Sequence, residues 1–201
     1  SRMLVKVLHD GDQFDQEQWN KFVNAHPRGT VFQSPEMFRL FAKTRKFSPL
    51  ALIVTENGEI SGLLLAVIIK EYSGYLGFLS SRTVVYGGPL VSEDKDDPEA
   101  VTLKLLKELI KNVEKETIFI QFRNFHDRLD QRDVYERCGF KFLDRLNYLV
   151  DTTSERIIRK RMSESKRRQV KKGLKAGAGI IAPENEDQVK AFYAILHDLY
   201  K

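Results

Sequence analysis

Two stretches of this sequence carry residue types that bind or transform charged groups. The first is ESKRRQVKKGLKAGAGI, Glu164 to Ile180, which gathers Lys166, Arg168, Lys171, Lys172 and Lys175. Arg168, Lys171, Lys172 and Lys175 recur at i, i+3, i+4 and i+7, one face of a helix, while Val170 and Leu174 fall on another. Like charges at this spacing repel, and a solvated face normally intersperses them with carboxylates, so an anionic ligand is the functional expectation and a bare charged surface the plain one. The second stretch, SSRTVVYGGP, sets Arg82 and Tyr86 on a strand that runs into a Gly-Gly-Pro turn. An arginine offers a two-pronged fork to phosphate or carboxylate, and a tyrosine can stack or hydrogen-bond. The plain alternative is a tight turn in which Gly87 or Gly88 needs positive φ.

Other chemistries lack their residues. His9, His26, His126 and His197 are scattered without metal-ligand spacing, so no metal site is expected. Gly-x-Ser-x-Gly, Walker and dinucleotide fingerprints do not occur, and no cofactor is assigned. The single cysteine, Cys138, excludes an internal disulfide and is expected to pack rather than react. No catalytic residue is named on these grounds.

The 201 residues, 42% hydrophobic and 30% charged, describe a globular chain of one domain and the start of another. The longest apolar run, GLLLAVII, is too short for a membrane-spanning helix and no signal pattern opens the chain, so a cytoplasmic protein is expected. The net charge of +5 is unevenly spread. Ten Lys and Arg stand against two Glu between Ser154 and Gly177, a local excess of eight that leaves the remainder net −3. A local excess points to an anionic partner at that place.

The elements that position these residues follow from patterning. Met3 to Leu8 alternates as a strand, and Asp15 with Gln18 has the form of a capping box opening a helix through Trp19, Phe22 and Val23. Ser34-Pro35 opens a second helix with Met37, Phe38, Leu40 and Phe41 inward. PLALIV and ISGLLLAVII, joined through Asn-Gly, predict a hairpin. A strand region covers Tyr75 to Tyr86; Asp97-Pro98 opens a helix with Leu105, Leu106, Leu109, Ile110 and Val113 inward; TIFIQF predicts a buried strand. A short helix at Asp133 to Arg137 leads to a last strand with Phe140, Phe142, Leu146, Tyr148 and Val150 alternating. Mixed strands with helices on both faces make an α/β domain over residues 1–151. A basic connecting helix over 152–178, a short strand in AGIIAPEN and an amphipathic helix from Glu186 follow, the last two at 179–201 being the expected start of a truncated second domain.

This element order, with VYERCGFKF at Val134 to Phe142, resembles the GNAT superfamily of acyltransferases, whose Tyr-x-x-x-Gly-Phe is matched by Tyr135, Gly139 and Phe140. Members bind the acyl-CoA pyrophosphate at an Arg/Gln-x-x-Gly-x-Gly/Ala turn opening the central helix. Here GGPLVSEDKDDPE stands instead, with Glu93, Asp94, Asp96 and Asp97 opposed by Lys95 alone, so acyl-CoA is not expected to bind in this domain. Asn124 lies farther from Tyr135 than the asparagine that some members place before the last helix. The stretches VFQSPEMFRLF, SSRTVVYGGPLV and SESKRRQVKKGLKAGAGI look like the Fem family of peptidoglycan-bridge aminoacyltransferases, which are built from tandem GNAT-like domains.

The resemblance implies transfer of an amino acid from aminoacyl-tRNA to an anionic, amine-bearing acceptor such as a muropeptide precursor. Arg82, Tyr86, Lys166, Arg168, Lys171, Lys172 and Lys175 are the expected substrate-binding residues. Two alternatives stay open: an acyl-CoA N-acyltransferase whose coenzyme site lies in a second domain, and a nucleic-acid-binding module.

Overall fold

Asn57 and Gly58 set the centre of the fold. Both take positive φ, 52° and 84°, as a two-residue type I′ turn requires, and they join β2 (Phe47–Glu56) to β3 (Glu59–Lys70) as an antiparallel hairpin. The computed structural model describes residues 3–72, 77–94, 97–146 and 149–200. They divide into two compact units, Ser1–Arg145 and Leu146–Lys201.

In the first unit, β3 is buried from Ile60 to Ile69. Successive side chains on a strand point to opposite faces, so Leu63, Leu65 and Val67 join Trp19, Phe38 and Phe41 on one side, while Leu64, Ala66 and Ile68 join Val101, Leu105 and Leu109 on the other. An unbroken apolar run is what a strand covered on both faces demands. β1 (Leu4–Leu8) pairs antiparallel with β2, and β4 (Ser81–Tyr86) antiparallel with β3. The short β5 (Leu90–Val91) also pairs with β3. After α3 (Pro98–Val113), β6 (Phe119–Arg123) returns parallel to β4. The order is β1-β2-β3-β4-β6.

The helices begin where their caps dictate. α1 (Gln16–Ala25) starts at Asp15, whose carboxylate accepts from the Gln18 amide; the reciprocal half of the box is not made, and the Gln18 side chain instead reaches the hairpin turn, its Nε2 donating to Gly58 O. The complete box lies at Thr30 and Gln33, around a 3₁₀ turn that sequence patterning does not flag. α2 (Pro35–Lys43) starts at Ser34 and buries Phe38 and Phe41, but Leu40, expected inward, is 55% exposed because this short helix turns only a narrow stripe to the sheet. α3 buries Leu105, Leu106, Leu109 and Val113 completely, leaves Ile110 half-buried, and lies so close on β3 that a Cβ at Gly62 would sit 2.5 Å from Val101 Cγ1.

Two strand expectations are corrected. TIFIQF is not a buried strand: β6 is an edge, and Phe119 is 49% exposed because nothing pairs beyond it among the described residues. The alternating segment from Phe140 is not a strand either. Phe140 and Phe142 turn their rings onto Tyr135 of α4 (Arg132–Arg137), with centroids at 5.9 and 5.7 Å, while Leu146 and Val150 are exposed and Tyr148 lies outside the described residues. Side-chain packing holds the start of this segment where no ladder does. Part of the expected strand from Tyr75 also lies outside the described residues; β4 begins at Ser81.

The described residues of the second unit form three helices: α5 (Glu155–Arg161), α6 (Glu164–Lys175) and α7 (Glu186–Leu199). Ser154 and Ser163 each cap a basic helix, so two helices stand where one over 152–178 is expected. Gly177, at φ 81°, follows the end of α6 and accounts for its stop. AGIIAPEN forms no strand, and Ile180 and Ile181 are exposed. No helix among the described residues is long and apolar enough to cross a membrane.

The Tyr135 hydroxyl is buried without a hydrogen-bond partner, and burial raises its pKa well above the ordinary value of 10.0. Replacing Tyr135 with Phe is expected to raise stability by about 1 kcal/mol, since an orphaned polar group is removed with the ring kept. Because the folded value is raised, ionisation does not touch stability below the unfolded value, and above it the unfolded chain loses the proton first, so the wild type is progressively destabilised. Urea titrations from pH 8 to 11 should therefore show the wild type losing stability faster than Tyr135→Phe at the alkaline end.

Candidate functional site

β4 runs into Gly87 and Gly88, at φ 79° and 73°, a left-handed backbone that glycine adopts without strain. The Gly87 amide donates to Arg123 O, carrying the β4–β6 ladder one step further. Side chains close on this turn from two elements: a Cβ at Gly87 would lie 2.2 Å from Gln33 Nε2, and one at Gly88 would lie 2.7 Å from Asn124 Oδ1. Gln33 Oε1 accepts from the Thr30 amide and hydroxyl, which fixes its orientation. Gln33 Nε2 and Asn124 Oδ1 are buried and unpartnered.

Arg128, just before the turn into α4, is 5% exposed. Its Nη2 donates to both Gly87 O and Pro89 O at 3.1 Å and its Nη1 to Gln131 Oε1 at 3.3 Å, while Nε has no partner. Burial, with added repulsion from Arg28, lowers its pKa. Beside it opens a cavity of about 250 Å³ lined by His26, Arg28, Val91, Glu93, Arg128 and Asp130, among others. His26 Nδ1 accepts from the Arg28 amide at 3.0 Å, so Nε2 is left to donate to Val91 O, also at 3.0 Å. Both ring nitrogens are thereby committed to backbone, which makes His26 a brace between loops.

The start of α3 lies at this cavity through Pro98. Its anion-binding capacity is largely spent: Asp97 accepts from the Ala100 amide at 2.8 Å, Pro98 has no N–H, and Glu99 pairs with Arg137. Lys95 and Asp96 of the same entrance lie outside the described residues.

The expected site residues fall in separate places. Tyr86 stacks on Phe32, centroids 5.5 Å apart, with the Arg123 guanidinium 5.6 Å from its ring centre. Arg82 stands four residues earlier on β4, about 13 Å away at strand rise, and pairs with Glu71 at 2.6 Å, so the structure does not bring it together with Tyr86. Lys166, Arg168, Lys171, Lys172 and Lys175 lie along α6, all exposed. Arg168 reaches Glu164 at 4.0 Å and Lys166 reaches Gln169; Lys171, Lys172 and Lys175 have no ion-pair partner among the described residues. Residue typing alone did not select Gln33, Arg28 or Arg128, whose roles arise from loops that converge only in the folded unit. No three His, Cys, Asp or Glu converge as metal ligands among the described residues. Cys138 is half-buried, and burial raises the pKa of its thiol.

No family model matches the sequence, and no curated protein matches it. Solved structures do. An aminoglycoside N-acetyltransferase AAC(6')-Iy in complex with CoA superposes with a TM-score of 0.51 at 11% identity, over 75% of this chain and 95% of that one. A transcriptional regulator from Bacillus halodurans C-125 gives 0.50 at 17%, over 74% and 100%. The fold is that of the GNAT acetyltransferases. At such identities the likeness is one of fold.

The GNAT-like unit depends on its glycine turn. Gly87→Ala and Gly88→Ala each add a Cβ to a left-handed backbone and drive it into a buried amide, and each is expected to cost about 3 kcal/mol or more. Gly11, at φ 87° with nothing within 4 Å, is the control: Gly11→Ala should cost only the conformational penalty of about 1–2 kcal/mol. Urea denaturation of the three variants measures the difference.

Proposed function

We propose that the protein transfers an acyl group to an amine, with aminoacyl-tRNA as donor and an anionic, amine-bearing acceptor of the muropeptide-precursor kind. The GNAT fold supports N-acyl transfer as the reaction class. The observation that carries the choice of donor is the start of α3, where Asp97, Pro98 and Glu99 remove or repel what a coenzyme pyrophosphate would need. The cationic faces of α5 and α6 supply the complementary charge for a polyanionic donor, with Lys171, Lys172 and Lys175 unpaired among the described residues.

The competing donor is acyl-CoA. It is favoured by the CoA complex of the AAC(6')-Iy neighbour and by Arg28 and Arg128 beside α3.

Two measurements decide between them. Calorimetry with acetyl-CoA is expected to show no saturable binding; tight binding would move the assignment to the acyl-CoA reading. Replacing Lys171 and Lys175 together with Gln should change stability by under ~0.5 kcal/mol, because both are exposed. It should weaken tRNA binding and reduce the slope of log affinity against log salt by about 0.7–0.9 for each phosphate no longer neutralised. A random oligonucleotide that binds as tightly as tRNA would instead indicate a general nucleic-acid module.

A further inference from the structure

The cavity beside Arg128 is lined by two charges of each sign, Arg28 and Arg128 against Glu93 and Asp130, that form no ion pair with one another among the described residues. Arg128 forms its floor, buried, with Nη1 and Nη2 tied to Gln131, Gly87 and Pro89 and with Nε unpartnered. Those bonds prevent its guanidinium from swinging to a carboxylate. Arg28 is near enough to repel it and Asp130 near enough to attract it, but no ion pair joins either arginine to a carboxylate among the described residues. Two cations held together in a cavity make a place for an anionic group. The rim has the opposite sign: Glu93 and Asp130 are both exposed there, and neither closes onto an arginine.

A phosphate or pyrophosphate would satisfy the floor and be repelled by the rim. A net-neutral ligand with separated charges satisfies both. The volume of about 250 Å³ falls below the roughly 300–1,000 Å³ of pockets for drug-sized ligands, so it admits a small headgroup and not a whole coenzyme.

We propose that this cavity binds the dipolar end of an amino acid, its carboxylate on Arg28 and Arg128 and its ammonium between Glu93 and Asp130. The proposal deepens the N-acyl transfer reading, on which it rests, by naming the acceptor class. An aminoacyl ester has no free carboxylate, so a site that demands one beside an ammonium suits the acceptor and not the donor.

The test uses the whole chain without any acyl donor. Saturation-transfer NMR titrations with L-alanine and L-lysine are compared with acetate, methylammonium and inorganic phosphate. The amino acids are expected to bind at least 10-fold more tightly than acetate or methylammonium. Arg28→Gln should weaken amino acids and acetate alike by about 10-fold. Glu93→Gln should weaken the amino acids and leave acetate unchanged or improved. Both replaced side chains lie at the cavity wall or rim, and circular dichroism confirms that the variants fold. Phosphate or acetate binding as tightly as the amino acids would overturn the proposal in favour of a simple anion site. Absence of binding by every probe would reduce the cavity to a solvent-filled cleft. Since no donor is present, amino-acid binding can fail while acyl transfer is still observed with another amine, and the two failures are told apart.

Discussion

Everything in the first unit depends on the β2–β3 hairpin being apolar on both faces. A sheet with Leu63 and Leu65 on one side and Leu64 and Ala66 on the other cannot leave either to water. Burial of each such side chain is worth about 1.5–3 kcal/mol, and only helices on both faces collect it. α1 and α2 supply one cover before the hairpin, and α3 supplies the other after it. With α3 committed to the far face, β6 must return parallel to β4. That return brings Gly88, just past the end of one strand, beside Asn124, just past the end of the other. The candidate site is thus a consequence of covering the hairpin.

At that junction polar groups are packed more tightly than they are satisfied. Arg128 holds two turn carbonyls, yet its Nε, Gln33 Nε2, Asn124 Oδ1 and the Tyr135 hydroxyl lack partners. Each orphaned group costs about 1–3 kcal/mol. Such a concentration is uncommon in a core that exists only for stability, and it lies beside the cavity that mixes arginines with carboxylates.

Much of the fold was legible in the sequence because its signals are local. Asn57-Gly58 specified the hairpin, Ser34-Pro35 and Asp97-Pro98 specified helix starts, and Gly139 takes the left-handed conformation that ends a helix. The failures share a cause. Alternation in Phe140 to Val150 indicates strand propensity, but a ladder needs a partner, and the sequence cannot say that Tyr135 will take Phe140 and Phe142 instead. The site fared similarly. Arg82 and Tyr86 were noticeable for their types, yet Arg82 is paired with Glu71 at the opposite end of β4. Arg28 and Gln33 lie in the connection between α1 and α2, Arg128 in the distant one between β6 and α4, and only the crossover through α3 brings the two connections together.

The type I′ turn at Asn57-Gly58 also bears on the order of folding. It joins strands that are adjacent in the chain, whereas the parallel pairing of β4 with β6 spans all of α3. Pairings of short sequence separation form with little loop entropy, so the hairpin is available as an early nucleus while the parallel pair waits for the crossover helix to dock. During that interval the face of β3 that α3 covers is bare and β4 has an open edge, the exposure that favours association between partly folded chains. The cavity that depends on Arg128 therefore belongs to the last part of the unit to assemble.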